Sequence, residues 1–228
     1  MPDHRSPDPD AVLRASWDMN AAAWTDSVRS GSIASRRLGT DRAAVDAVRA
    51  TGATTVLDVG GGEGWLARAL AGAGLDVTGF DGSAALVAAA QQQGGGRFFH
   101  LTYEDAARDP SRLGGPYDAA VATFALLGDD LGGLLAALRG AVRAGGHLVV
   151  QTLHPLNVEP PHVDGWRVET FDGMGEGYAA PMPWYSRTTG GWIRLLTAAG
   201  WRVVDLVEPP HPETGRPLSL VLVARRDG

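Results

Sequence analysis

Hydrophobic positions recur along this chain with two different periods, and the switch between them predicts its architecture. From Pro9 to about Val28, Val12, Ala15, Trp17, Ala21 and Trp24 stand among polar residues at helical spacing. One or two amphipathic helices are expected there. A second helical pattern covers Ser35 to Ala50, with Ala43, Ala44, Ala47 and Val48 on the inner face. From Thr54 the pattern changes. Thr55–Val59 is short, apolar and rich in β-branched residues, and a helical run built on Leu66, Ala67, Leu70 and Ala71 follows it. Further strands are expected at Asp76–Phe80, Arg97–Leu101, Tyr117–Ala122 and His147–Leu153, with helices at Ser83–Gln92 and Asp130–Val142. Strands separated by helices pair in parallel through right-handed crossovers, so the expected fold is an open three-layer α/β sheet.

Residues 154–186 break this rhythm. They are rich in proline and aromatic residues, carry no helical period, and are too long for an ordinary connection. They read as an insertion facing the substrate, with a hairpin around Trp166–Tyr178. Helix Thr188–Ala199 and strands Trp201–Val207 and Leu218–Ala224 complete the chain. The short Pro/Gly-rich link between the last two strands allows an antiparallel hairpin but no helical crossover. The organisation expected is a loose tail over residues 1–10 and one domain over 11–228, in which 11–52 form an N-terminal helical lid.

Composition narrows the chemistry. A length of 228 residues suits one domain with a modest insertion. No apolar run approaches the roughly 18 residues of a membrane span. The first ten residues are polar and proline-rich rather than charged then apolar, which argues against secretion and for a cytoplasmic protein. There is no cysteine, which excludes disulfides, thiol nucleophiles and cysteine-ligated metals. There is also no lysine, so all 20 basic residues are arginine. That removes Schiff-base chemistry and a Walker-type phosphate loop. A net charge of −6 with no basic stripe argues against a duplex nucleic acid partner. No carboxylate or histidine set suggests a metal. The partner expected is a small molecule, and a homodimer is compatible with the sequence.

The most informative stretch is Asp58-Val59-Gly60-Gly61-Gly62-Glu63-Gly64. Its glycines permit positive φ and let a ligand touch backbone, and the helix that follows offers free N–H groups. Asp81 ends the second strand, where a carboxylate accepts the ribose hydroxyls of a nucleoside. Gly62-Glu63-Gly64-Trp65-Leu66-Ala67 formally fits the dinucleotide pattern too. That reading puts the first glycine too far past the strand and leaves Asp58 unexplained. A carboxylate on a buried strand costs several kcal/mol unless it is paired, and a cationic ligand supplies a partner where an anionic pyrophosphate would be repelled.

These residues resemble the first motif, D-x-G-x-G-x-G, of the class I S-adenosylmethionine (SAM)-dependent methyltransferases. Val77–Ser83 is similar to that family's acidic end of strand two, and Thr102-Tyr103-Glu104-Asp105 stands where it places the residues around the adenine. Tyr117–Val121 resembles its fourth strand, and Arg143–Val150 its glycine-led fifth. The resemblance spans roughly Trp17 to Ala224. It implies a seven-stranded Rossmann-like sheet whose last strand is antiparallel, with N-terminal helices and an insertion after strand five. It also implies SAM as cofactor and S-adenosylhomocysteine as product. Gly60, Gly62 and Gly64 would contact the methionine portion, with Asp58 orienting that region. Asp81 would hold the ribose, Tyr103 and Glu104 would frame the adenine, and Phe124 would pack on the ligand.

Trp17-Asp18-Met19-Asn20-Ala21-Ala22-Ala23-Trp24 resembles the lid helix of many small-molecule methyltransferases, which puts Trp24 on the cofactor and Trp17 and Asn20 near the acceptor. His154 directly follows strand five and is the candidate general base, because a histidine titrates near neutrality. Tyr185 is a second candidate. Trp184, Tyr185 and Arg187, together with His154, are expected at the acceptor. Arg187 is alternatively an anchor for the helix after it. The acceptor expected is a small metabolite with an apolar or aromatic part, methylated on oxygen or nitrogen, with carbon a further option. The alternatives are a SAM-binding protein that promotes a non-methylating reaction such as cyclisation, a non-catalytic binding module, and a nicotinamide-dependent oxidoreductase.

Overall fold

A short apolar strand covered on both faces belongs inside a parallel sheet, and Thr55–Val59 (β1) takes that place with four of its five residues buried. The computed structural model describes residues 8–228. In it β1 pairs in parallel with β2 (Asp76–Asp81) on one side and β4 (Tyr117–Thr123) on the other. β3 (Arg97–His100) extends the sheet beyond β2, and β5 (Val142–Thr152) extends it beyond β4. β9 (Leu220–Arg226) then runs antiparallel to both β5 and the edge strand β8 (Trp201–Val207). The order is β3-β2-β1-β4-β5-β9-β8. This is the seven-stranded sheet with an antiparallel last strand that the chain was expected to form.

The period of two along each strand divides the core between two faces. Val56, Val77, Val121 and Val149 meet α2 (Asp41–Ala50) and α3 (Trp65–Gly72). Leu57, Phe80, Ala120 and Leu148 meet α5 (Tyr103–Arg108), α6 (Gly132–Ala141) and α7 (Thr189–Ala198). α4 (Ala84–Gln93) covers β2 and β3. Chain order reverses between β1 and β4, which opens a crevice beyond their carboxyl ends.

The N-terminal pattern folds as one 22-residue helix, α1 (Pro9–Ser30), whose first turn is capped by the Asp8 carboxylate accepting the Asp10 N–H. Of the tail expected over 1–10, residues 1–7 lie outside the described residues, and 8–10 begin this helix. The single helix expected over Ser35–Ala50 is instead a π turn, Arg36–Thr40, followed by α2, with a kink at Gly39. Glycine is a poor helix former, which lets the chain turn there.

The hairpin inside 154–186 is wider than expected. β6 (Gly165–Glu169) pairs antiparallel with β7 (Met182–Ser186), and the chain between them carries the stacked rings of Phe171 and Tyr178 at 4.2 Å. This segment packs against α1 through Leu13, Phe171, Met182 and Trp184. Among the described residues no helix is long and apolar enough to cross a membrane.

Candidate active site

The turn after β1 is built from residues that only glycine satisfies. Gly60, Gly62 and Gly64 have φ of 63°, 57° and 85°, the left-handed region that costs other residues about 1–2 kcal/mol. A Cβ on Gly60 would stand 2.4 Å from the Tyr103 hydroxyl and 2.7 Å from Ala125 Cβ. Its backbone is therefore pressed between α5 and the end of β4. Asp58 lies beneath this turn. Its carboxylate is 1% exposed, abuts Gly61, and has no hydrogen-bond partner on either oxygen. Burial, and then the charge of Asp81, push its pKa up to about 7.

Asp81 is held by backbone. Its Oδ2 accepts the Gly62 N–H at 2.9 Å and its Oδ1 accepts the Ser83 N–H at 2.8 Å. Burial raises its pKa while those two bonds lower it. The strand end and the glycine turn are thus locked to each other, with lone pairs left on the carboxylate for a further donor.

Above the turn, where the chain order reverses, is a cavity of about 450 Å³. Gly60, Gly62 and Asp81 form its floor, Tyr103 and Glu104 one side, and Phe124 and Ala125 the end of β4. α1 roofs it with Leu13, Arg14, Trp17 and Trp24. The two tryptophans meet edge to face at 5.2 Å, and Arg14 pairs with Glu104 across the gap. Tyr103 is held protonated by burial first, then by the charges of Asp81 and Asp58. Phe124 leaves β4 in the left-handed region, at φ 51°. Among the described residues Arg14 is the single cation on the wall, against Asp8, Asp10, Asp81, Glu104 and Asp130.

A nucleoside-sized crevice at the switch point, with an acid at the end of each of its two first strands, agrees with what comparison with known proteins finds. The profile of the family described as methyltransferase domain matches residues 35–206. The chain belongs to this family. By family and fold it is a class I SAM-dependent methyltransferase. It is similar to the 1,6-didemethyltoxoflavin-N1-methyltransferase of Burkholderia thailandensis, solved with 1,6-didemethyltoxoflavin and S-adenosylhomocysteine. That comparison gives 22% identity and a TM-score of 0.67 over 99% of this chain and 93% of that one. The magnesium protoporphyrin IX methyltransferase of Synechocystis PCC 6803, solved with SAM, gives 17% identity and 0.64 over 99% and 100%. Human N-acetylserotonin methyltransferase, also in complex with SAM, gives 18% and 0.65 over 97% and 61%. At these identities the likeness is one of fold. No curated protein sequence matches the chain.

The methyltransferase brings eight of the expected residues to the cavity wall: Trp17, Trp24, Gly60, Gly62, Asp81, Tyr103, Glu104 and Phe124. Asp58 lies one layer deeper. Gly64 does not line the cavity, and a Cβ there would be 3.0 Å from both Ala90 and Phe98.

The acceptor-side expectations fare differently. His154 is 4% exposed and does not line the cavity. Its Nδ1 accepts the Leu156 N–H at 3.1 Å, so the proton sits on Nε2, which donates to Glu208 at 2.7 Å. Both ring nitrogens are used, so no lone pair faces an acceptor. Asn20 is fully buried and ties α1 to the insertion, donating to Ser16 and the Ala180 carbonyl and accepting the Ala179 N–H. Trp184 is in the apolar cluster behind α1. Tyr185 packs edge to face on Trp166 and lies under the Arg187 guanidinium. Arg187 donates to the carbonyls of Gly128 and Asp129 at 2.8 and 2.6 Å, which makes it an anchor for the loop after β4. No residue of 154–186 lines the cavity. Sequence reasoning missed Asp10, Leu13 and Arg14, although with Trp17 and Trp24 they stand at i, i+3, i+4, i+7 and i+14, along one face of α1.

Proposed function

We propose that this methyltransferase binds SAM between the glycine turn and α1 and methylates oxygen or nitrogen of a small, neutral or cationic acceptor with an apolar or aromatic part. The observation that carries the reading is Asp58, a fully buried carboxylate without a single donor. Such a group calls for positive charge nearby, and the exposed glycine backbone in front of it leaves room for one. When bound, SAM supplies an electrophilic methyl group on a positively charged sulfur.

The chain's own residues do the rest. Gly60 and Gly62 present bare backbone, and Asp81 offers its free lone pairs to ribose hydroxyls. Tyr103 and Glu104 frame the base, while Phe124 and Trp24 provide apolar walls. Of the lid expected over residues 11–52, only α1 (Pro9–Ser30) roofs the cavity, because α2 packs on the sheet beside α3. α1 excludes water, so alignment rather than acid–base chemistry supplies most of the rate. An anionic acceptor is disfavoured, because Arg14, the one lining cation among the described residues, is already paired with Glu104.

The test is titration of the protein with SAM and S-adenosylhomocysteine, followed by an acceptor panel of amines, phenols and carboxylates. S-adenosylhomocysteine formed in equal amount with a methylated amine or phenol supports the reading. Failure to bind SAM refutes the cofactor assignment. Tight binding with no turnover across the panel refutes methyl transfer and favours a non-methylating role.

A further inference from the structure

Glu63 lies inside the glycine turn and has no exposed surface. A carboxylate taken out of water needs cationic or N–H partners, and Glu63 has two arginines from different helices. Arg68 of α3 donates from Nη2 to both carboxylate oxygens at 2.7 and 2.9 Å, and from Nη1 to the Glu63 carbonyl at 2.8 Å. Arg29, in the last turn of α1, donates from Nε to Oε2 at 2.9 Å. Its Nη2 also donates to the Ala89 carbonyl of α4 at 3.1 Å.

The two partners are not equivalent. Arg68 is five residues from Glu63 and already neutralises it through a local contact. Arg29 arrives from the helix that roofs the cavity, so its bond adds a tie between roof and floor. On the same helix, Trp24 Nε1 stands 3.7 Å from where a Gly62 side chain would begin. The Gly62–Glu63 segment is therefore held by α1 at two points, an indole over Gly62 and a guanidinium on Glu63.

We infer that Glu63 is a positioning residue that tethers the end of α1 to the glycine turn, so that the Arg29–Glu63 bond sets how firmly the roof closes over bound SAM. The inference rests on the SAM reading of the cavity. Glu63 lines no part of the cavity wall and acts through Arg29. Cutting the bond on the Arg29 side leaves the turn and its Arg68 partner in place while loosening the last turn of α1.

The experiment is the SAM dissociation rate of the full chain, measured by stopped-flow displacement, beside amide hydrogen exchange along α1. Arg29→Met should release SAM at least tenfold faster and exchange faster along α1, with β1 and α3 unchanged. Arg29→Lys, which keeps a cation within reach, should recover part of the slow release. Glu63→Gln should speed release similarly. If that variant fails to fold, the two Arg29 variants still decide. Release from Arg29→Met at the wild-type rate overturns the inference, whatever the exchange shows. Wild-type protein that binds no SAM refutes the cofactor reading instead, so the two failures are distinct.

Discussion

The Nε2–H of His154 donates to the Glu208 carboxylate at 2.7 Å, joining the end of β5 to the segment that follows β8. The imidazole is therefore a strut. His154→Ala should leave SAM affinity within about threefold and cost roughly 1–2 kcal/mol of stability, the worth of a hydrogen bond to a partly exposed charged group. Calorimetric titration and thermal melting measure the two. A hundredfold loss of turnover with an unchanged melting temperature would return the imidazole to the chemistry.

Asp81→Ala removes an acceptor for ribose and also frees the Gly62 N–H. The expected loss in SAM binding is about 1.5–3 kcal/mol, or roughly ten- to 150-fold in Kd. Equal affinity for SAM in the variant and the parent would show that the nucleoside lies elsewhere.

Asp58 makes stability and binding run in opposite directions with pH. Its folded pKa, near 7, is above its unfolded value of about 3.9. The folded state therefore holds a proton that the unfolded chain gives up. The stabilisation this provides is complete below about pH 4 and is lost as pH rises through 7. The ligand-free protein should melt progressively lower across that window, and Asp58→Asn should flatten the trend. SAM affinity should rise from pH 6 to 8 as the carboxylate ionises, and a pH-independent affinity would remove Asp58 from cation binding.

Gly60 is confined by the Tyr103 hydroxyl and by its own φ of 63°. Gly60→Ala should destabilise the protein by about 1–3 kcal/mol through left-handed strain and the contact with Tyr103. Adding Tyr103→Phe removes the nearest clashing atom, so the double variant should be more stable than the two single effects added together. A coupling of at least about 0.5 kcal/mol is expected from denaturation cycles. Strict additivity would mean that the hydroxyl does not confine the turn.

The glycine turn, Asp58, Asp81 and the strands that carry them were legible in the amino-acid sequence because their causes are local. A positive φ demands glycine within a few residues, and a period of two marks a strand wherever it falls. Asp118, at the opposite end of the sheet, accepts the N–H groups of Thr54 and Thr55. The acceptor side was not legible. His154 follows β5 at the right end of the sheet, but β9 separates β5 from β8, and that order brings Glu208 within reach of the ring. Phe171, Tyr178 and Trp184 of 154–186 pack with Leu13 of α1 in an apolar cluster, which buries them more fully than a wet cavity would. Arg29 meets Glu63 only once α1 lies across the turn. Periodicity says which face of an element a residue occupies, whereas the neighbour that face meets depends on how distant segments assemble, and tertiary structure alone decided that.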